Sequence, residues 1–235
     1  MKLVLIACKV LYREFCYYAA ISRNLVELRF LEQGLHMDPD KLRESVQAEI
    51  DAVDGEYDAI LLGYGLCSKG IEGLRSNKHK LVIPRAHDCI TFFLGSKERY
   101  MDYFKNRPGT YWYTPGWIET DGAADKHRYD AVYQGFVDKY GEDNARYLFE
   151  VLQAWIEHYD QAAYVDLGFG DTTSYKEHTK AVAAERGWDY AEVKGDPSLV
   201  IDLLEGNWDS DRFLVVEPGE TVRAAHDECI LGVSR

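Results

Sequence analysis

Short apolar segments that end near a cysteine are the feature that most limits how this chain can fold. Such runs, rich in Val, Ile and Leu, are typical of strands buried on both faces of a parallel sheet. They comprise residues 3–7 before Cys8, 60–62 before Cys67 and 81–83 before Cys89. In an open parallel sheet, ligands bind in the crevice outside the carboxyl ends of the strands. The pattern therefore predicts that the three cysteines meet at one edge of a sheet.

Strand and helix patterns alternate along the chain, which predicts an α/β fold with a mainly parallel sheet and right-handed crossovers. The predicted strands are 2–8, 25–31, 57–62, 80–83, 163–167, 190–193 and 212–216. The predicted helices are 12–21, 41–53, 90–104, 129–159 (broken near 141–144), 175–186 and 198–204. We therefore predict two Rossmann-like or flavodoxin-like βαβ halves, 1–105 and 161–235. A middle segment, 106–160, combines helices with an aromatic stretch at 109–117, which is either an edge strand or a pocket wall.

Composition excludes several classes of function. A chain of 235 residues with 46% apolar residues can bury a sizeable core. The formal net charge of −13 argues against nucleic-acid binding, because no basic stripe offsets phosphate repulsion. We expect a cytoplasmic protein, since the apolar start reads as a buried strand and no run approaches membrane-spanning length. In that setting, five cysteines are thiols or metal ligands rather than a disulfide framework.

A metal site is the leading hypothesis for the cysteines at the strand ends. We predict that Cys8, Cys67, His87 and Cys89 converge on one thiophilic ion. Zinc accepts thiolate and imidazole, and a catalytic zinc site leaves one position open for water or substrate. Three cysteines suit an iron–sulfur cluster equally well, and the sequence does not separate the two. We assign Asp88 a catalytic or imidazole-orienting role.

Two other interpretations of these cysteines stay open. Cysteines at strand ends are often buried thiols that only pack, which is how we interpret Cys16 in the first predicted helix. Alternatively, Cys89 is a metal-free nucleophile activated by His87 or His226, although this leaves the other strand-end cysteines unexplained.

The glycines after the third predicted strand match neither the Walker pattern nor GxGxxG. We predict that Gly63 and Gly65 let the backbone bend closely around whatever Cys67 holds, and so contribute to cofactor binding.

The C-terminal segment 225–230 repeats the Ala-His-Asp-Cys-Ile order of residues 86–90 with one extra residue. We predict that both segments frame one cleft, with His226 catalytic and Cys229 completing or lining the site. The alternative is a C-terminal tail that packs elsewhere.

Several blocks resemble the DUF1638 family of bacterial and archaeal proteins, over most of the chain from residue 3 to about residue 217. The blocks are Leu-Gly-Tyr-Gly-Leu-Cys at 62–67, Ile-Pro-Arg-Ala-His-Asp-Cys-Ile at 83–90, Leu-Gly-Ser at 94–96 and Tyr-Thr-Pro-Gly-Trp at 113–117. The resemblance implies an association with corrinoid-dependent methyltransferase systems, and so a corrinoid protein or methyltransferase as a partner. The chain lacks the Asp-x-His-x-x-Gly motif of corrinoid-binding domains. Its His-Asp-Cys sequence is similar to the His-x-Cys part of zinc-dependent thiol methyltransferases, which are barrels.

These features predict a metal-dependent enzyme or accessory protein of one-carbon metabolism that acts on a thiol or a related small substrate. A zinc-dependent, methyltransferase-like activity is the first expectation. A metal- or cluster-carrying partner without turnover is the alternative.

Overall fold

The structure, a computed structural model, describes residues 1–120, 126–225 and 227–234. In chain order the strands are β1 (Lys2–Cys8), β2 (Leu25–Leu31), β3 (Ala59–Gly63), β4 (Leu81–Pro84), β5 (Thr110–Tyr113), β6 (Gln161–Asp166), β7 (Asp189–Lys194), β8 (Phe213–Val216), β9 (Thr221–Ala224) and β10 (Leu231–Ser234). The helices are α1 (Tyr12–Ile21), α2 (Pro39–Asp51), α3 (Ile90–Leu94), α4 (Lys97–Asn106), α5 (Pro115–Glu119), α6 (Lys126–Tyr140), α7 (Glu142–Gln153), α8 (Thr173–Arg186) and α9 (Ser198–Glu205). Short 3-10 turns occupy Lys9–Leu11, Gln33–Met37 and Ala154–His158.

The chain forms two compact units that do not follow the three predicted segments. One unit combines Met1–Asp102 with Gly195–Arg235, and the other is Tyr103–Lys194. The predicted C-terminal half, 161–235, is therefore divided between them. The cause is β8, which pairs antiparallel with β4 and so brings the end of the chain back to the first unit.

The first unit contains a five-stranded sheet in the order β2-β1-β3-β4-β8. The pairings of β1 with β2, β1 with β3 and β3 with β4 are parallel. Val4, Ile6, Ile60 and Leu62 pack with α2 on one face of this sheet, in a core that also contains Tyr64. Every residue of β3 is buried, as expected for a central parallel strand covered on both faces. The predicted α/β class with a mainly parallel sheet is confirmed.

The second unit contains a parallel three-stranded sheet in the order β5-β6-β7. The aromatic stretch supplies its edge strand β5, and Tyr113 is completely buried in the core of this unit. Of the two interpretations of this stretch, the structure therefore shows the edge strand.

Two further features differ from the predicted elements. The helix predicted at 90–104 is divided into α3 and α4, because Gly95 ends α3 in the left-handed region at φ 84°. The strands β9 and β10, which the sequence did not predict, form an antiparallel hairpin near the C-terminus. Within the described ranges, no helix has the length and apolar character needed to cross a membrane.

Candidate functional site

The topology of the first unit places the predicted cysteines at a reversal of strand order. From β1 the chain passes to β2 on one side and then to β3 on the other, so the order is 2-1-3-4. Ligands of open α/β sheets bind at such a switch point, outside the carboxyl ends of the strands. Cys8 is the last residue of β1, Cys67 follows β3, and Cys89 precedes α3 after β4.

The loops after β3 and β4 continue the parallel pairing beyond the strands. The backbone N–H of Leu66 donates to the carbonyl of Ala86 at 2.8 Å, and that of Cys67 donates to the carbonyl of His87 at 3.0 Å. Gly65 allows this approach, because a Cβ there would lie 2.7 Å from the backbone nitrogen of Asp88. The glycine thus serves to bring Cys67 beside the His-Asp-Cys turn. Gly63 lies within β3, where a Cβ would meet Ala7 at 2.5 Å, so its evident constraint is sheet packing.

The backbone at Cys67 is strained. Cys67, Ser68 and Lys69 have φ values of 47°, 55° and 69°, and none of them is glycine. Left-handed geometry costs about 1–2 kcal/mol for each such residue. Strain of this kind persists only where the surroundings enforce it, and it concentrates at active sites and ligand clamps.

The three strand-end thiols lie near enough to influence one another electrostatically. Burial raises the pKa of the Cys8 thiol from its usual 9.0 to about 11, although a hydrogen bond from the Val10 backbone acts in the opposite direction. The pKa of the Cys67 thiol is raised to about 12, mainly by burial and to a smaller extent by the charges of Asp88 and Cys8. Burial and the charges of Asp88, Cys8 and Cys67 raise the pKa of Cys89 well above its usual value. The structure therefore brings Cys8, Cys67 and Cys89 into one neighbourhood, as neutral thiols at physiological pH.

Tyr64 is the residue of this neighbourhood that the sequence interpretation missed. Its side chain is 3% exposed and packs in the core that also contacts Cys8 and Cys67. Among the residues that the structure describes, none forms a hydrogen bond with the Tyr64 hydroxyl, which is buried. After burial, the charges of Cys8 and Cys67 are the largest causes that raise its pKa well above 10.0. A buried hydroxyl without a partner is unfavourable by about 1–3 kcal/mol, so Tyr64 carries a polar group that the described residues do not satisfy.

Asp88 is a partly buried carboxyl group that accepts hydrogen bonds from Tyr100 and from the backbone after it. The Tyr100 hydroxyl donates to Oδ2 at 2.8 Å, and the Ile90 backbone N–H donates to Oδ1 at 3.0 Å. Burial nevertheless raises the pKa of Asp88, with the Tyr100 hydrogen bond the largest opposing influence. Its predicted catalytic role stays a prediction, whereas its fixed position beside Cys67 and Cys89 is observed. Tyr100 was not identifiable from sequence, because it lies on α4 and only the fold brings it to Asp88.

His87 and Cys229 are exposed, whereas Cys8, Cys67 and Cys89 are partly buried. His87 is exposed, and its ring centroid lies 6.1 Å from that of Tyr100. His226 lies outside the described residues, so its predicted role stays a prediction. Cys229 is exposed in the turn between β9 and β10. Arg85, just after β4, donates from its guanidinium to the carbonyls of Cys229 at 2.8 Å and of Leu231.

Cys16 has different neighbours. Burial raises the pKa of its thiol, and the other contributions come from Tyr12 and Glu14 on the same helix.

Over residues 1–120, 126–225 and 227–234, no three His, Cys, Asp or Glu side chains are already arranged to hold a metal ion. A metal at the three thiols would therefore require their side chains to adjust around it.

A comparison with family models places the chain in a family. Residues 30–204 match the model described as "Protein of unknown function (DUF1638)", and the chain belongs to this family. The matched range contains Tyr64, Cys67, Asp88 and Cys89 but not Cys8. No curated protein and no solved structure matches the chain.

Proposed function

We propose that Cys8, Cys67 and Cys89 bind one thiophilic metal ion, zinc in the first instance, with one coordination position left open. The observation that supports this most strongly is the meeting of three thiols from adjacent strand ends near a buried hydroxyl, that of Tyr64, which no described residue satisfies. Buried thiols that only pack do not need a strained, non-glycine backbone such as that at Cys67.

The donor set suits a soft metal ion. Thiolate sulfur favours zinc or iron–sulfur clusters over hard cations such as magnesium. Backbone hydrogen bonds from Val10 and Gly65 already act on the sulfurs of Cys8 and Cys67 and favour their charged forms. Such hydrogen bonds to metal-bound sulfur tune a site from outside its ligands. We leave His87 out of the proposed ligand set because its side chain is exposed.

The chemistry that follows is activation of a small thiol. Tetrahedral zinc with three protein ligands keeps its fourth position for water or substrate, and a coordinated thiol is deprotonated outright. A thiol substrate that enters this position would release its proton to solvent and become a nucleophile. The resemblance to zinc-dependent thiol methyltransferases supports methyl-transfer metabolism as the setting, with a corrinoid protein or a methyltransferase as the partner.

A carrier of an iron–sulfur cluster, without turnover, is the second candidate. The all-sulfur character of the three donors favours it, because clusters are held by cysteine thiolates. A metal-free cysteine nucleophile receives less support. The thiolate is the reactive form, and burial raises the pKa of Cys89 well above its usual value.

The test is elemental analysis and an absorption spectrum of protein purified without oxygen. We expect about one zinc ion or one cluster per chain, a single site of the kind described. Cys67→Ala should lose the metal, whereas Cys16→Ala, the matched control on α1, should retain it. Equal metal loss from both variants, or protein that contains no metal and takes up none on reconstitution, would contradict the proposal.

A further inference from the structure

We propose that the edge strand β2 pairs antiparallel with β2 of a second copy of the chain, about a two-fold axis at Leu28. The two copies then form a homodimer in which one sheet runs across both. This pairing needs no metal and involves the first unit alone.

One side of β2 is an open sheet edge. β2 is the outermost strand of the five-stranded sheet, and β1 is its only neighbour among the described strands. The Leu25 N–H donates toward β1, to the Met1 carbonyl at 3.0 Å. In a parallel ladder the N–H and C=O of one residue face the same neighbour, so the alternate residues face outward: Val26, Leu28 and Phe30. No hydrogen bond from another part of the described chain reaches these outward groups.

The edge lacks the features that most often prevent strands from pairing, which are proline, lysine, a bulge or a very short strand. β2 has seven residues without proline, lysine or glycine, and its register with β1 is continuous. Leu25 is 69% exposed. Tyr12 of α1, whose ring centroid lies 4.9 Å from that of Phe30, is 51% exposed. A long apolar edge of this kind is expected to pair with another strand.

The sequence of β2 specifies a second copy as the partner. A two-fold interface brings the same surface of both subunits together, so each residue must suit its symmetry mate. With the axis at Leu28, Glu27 of each copy lies opposite Arg29 of the other. The remaining pairs are all apolar: Leu28 with Leu28, Val26 with Phe30 and Leu25 with Leu31. Opposite charges that face each other across two strands stabilise the pair, whereas like charges destabilise it.

The same two charges fix the register. Outward residues must pair with outward residues, so the axis can otherwise move only to Glu27 or to Arg29, and each of these places a charge opposite itself. The axis at Leu28 also joins all the outward N–H and C=O groups of one strand to those of the other. Within one chain the Arg29 guanidinium already contacts the Glu27 carboxylate at 2.7 Å. In the dimer the four side chains would alternate in sign around the axis.

The experiment measures the mass of the protein in solution by analytical ultracentrifugation. We expect a dimer for the unmodified chain and monomers for Glu27→Arg and Arg29→Glu, because each change places like charges opposite one another. The dissociation constant should rise by about a hundredfold or more, the effect of like charges brought together at an interface. Lys180→Glu on α8 makes the same change in net charge as Arg29→Glu and should stay dimeric.

A mixture of the two variants tests the register directly. The Glu27→Arg chain carries only positive charges at these two positions, and the Arg29→Glu chain carries only negative ones. An equimolar mixture should therefore form a one-to-one heterodimer, which also shows that both variants fold. The double variant, in which the two charges are exchanged, should dimerise like the unmodified chain.

Amide hydrogen exchange of the unmodified chain needs no variant. Exchange in residues 25–31 should be slower at high protein concentration than after dilution, because the outward N–H groups are bonded only in the dimer. A monomeric unmodified chain would overturn the proposal, as would exchange in this strand that does not depend on concentration. Dimers that survive both single changes would place the interface elsewhere. Folded monomers that fail to combine on mixing would show that Glu27 and Arg29 do not face each other, which also overturns it.

Discussion

Replacement of Tyr64 by phenylalanine should stabilise the metal-free protein. The substitution keeps the ring, which is 3% exposed, and removes only a buried hydroxyl that has no hydrogen-bond partner among residues 1–120, 126–225 and 227–234. An unsatisfied buried polar group costs about 1–3 kcal/mol, so we expect the free energy of unfolding to rise by up to that amount. For a chain of this size, about 1 kcal/mol corresponds to a rise of about 2–4 °C in the melting temperature.

The assay is urea and thermal unfolding of chelator-treated protein, followed by circular dichroism. Tyr100→Phe is the matched control, because the same chemical change there removes a 2.8 Å hydrogen bond to the partly buried Asp88. That variant should lose about 1.5–3 kcal/mol, the range for hydrogen bonds to charged groups. A similar loss in Tyr64→Phe would refute the reasoning, because it would mean that the Tyr64 hydroxyl already has a partner.

The remaining predictions concern loop packing and pH. Gly65→Ala should destabilise the protein by about 1–3 kcal/mol and weaken metal binding, because its Cβ would lie 2.7 Å from the Asp88 backbone. Gly34→Ala, whose Cβ would have nothing within 4 Å, is the control and should retain full metal affinity; equal effects in both variants would contradict the packing argument. Metal affinity should rise as the pH increases from about 6.5 to about 7.5, because each thiol must lose a proton to bind the metal. Release of three protons gives about a 10³-fold change per pH unit in chelator competition, whereas a change of about tenfold or less would mean that at most one thiol ionises. Without metal, stability should fall above pH 9.0, where unfolded thiols ionise and those of Cys8 and Cys67 do not until about 11 and 12.

Local patterns were sufficient to predict most strands and helices of the first unit. β1 and β3 are continuous apolar runs because both faces of a central parallel strand are covered. Their cysteines could be assigned to one sheet edge because the carboxyl ends of parallel strands share an edge. The division of the chain between two units was not predictable from the same patterns. It depends on the antiparallel pairing of β8 with β4, a contact between residues far apart in sequence.

The candidate site shows the same division between local and long-range information. Cysteine and histidine can be recognised as candidate ligands from the sequence by residue type alone. The exposure of His87, in contrast, depends on how the turn after β4 packs. Tyr64 lacks a distinguishing sequence signal, since a tyrosine after a strand is usually a core residue. Its hydroxyl is buried, has no hydrogen-bond partner in the described part of the chain and lies within electrostatic reach of Cys8 and Cys67, all of which only the fold reveals.

The most direct test of the central claim is X-ray absorption spectroscopy of the metal in anaerobically purified protein. For zinc, we expect three sulfur neighbours at about 2.3 Å and one lighter atom at the open position. Addition of 2-mercaptoethanol should raise the sulfur count to four. A spectrum that contains only nitrogen and oxygen neighbours would contradict the assignment of Cys8, Cys67 and Cys89 as the ligands.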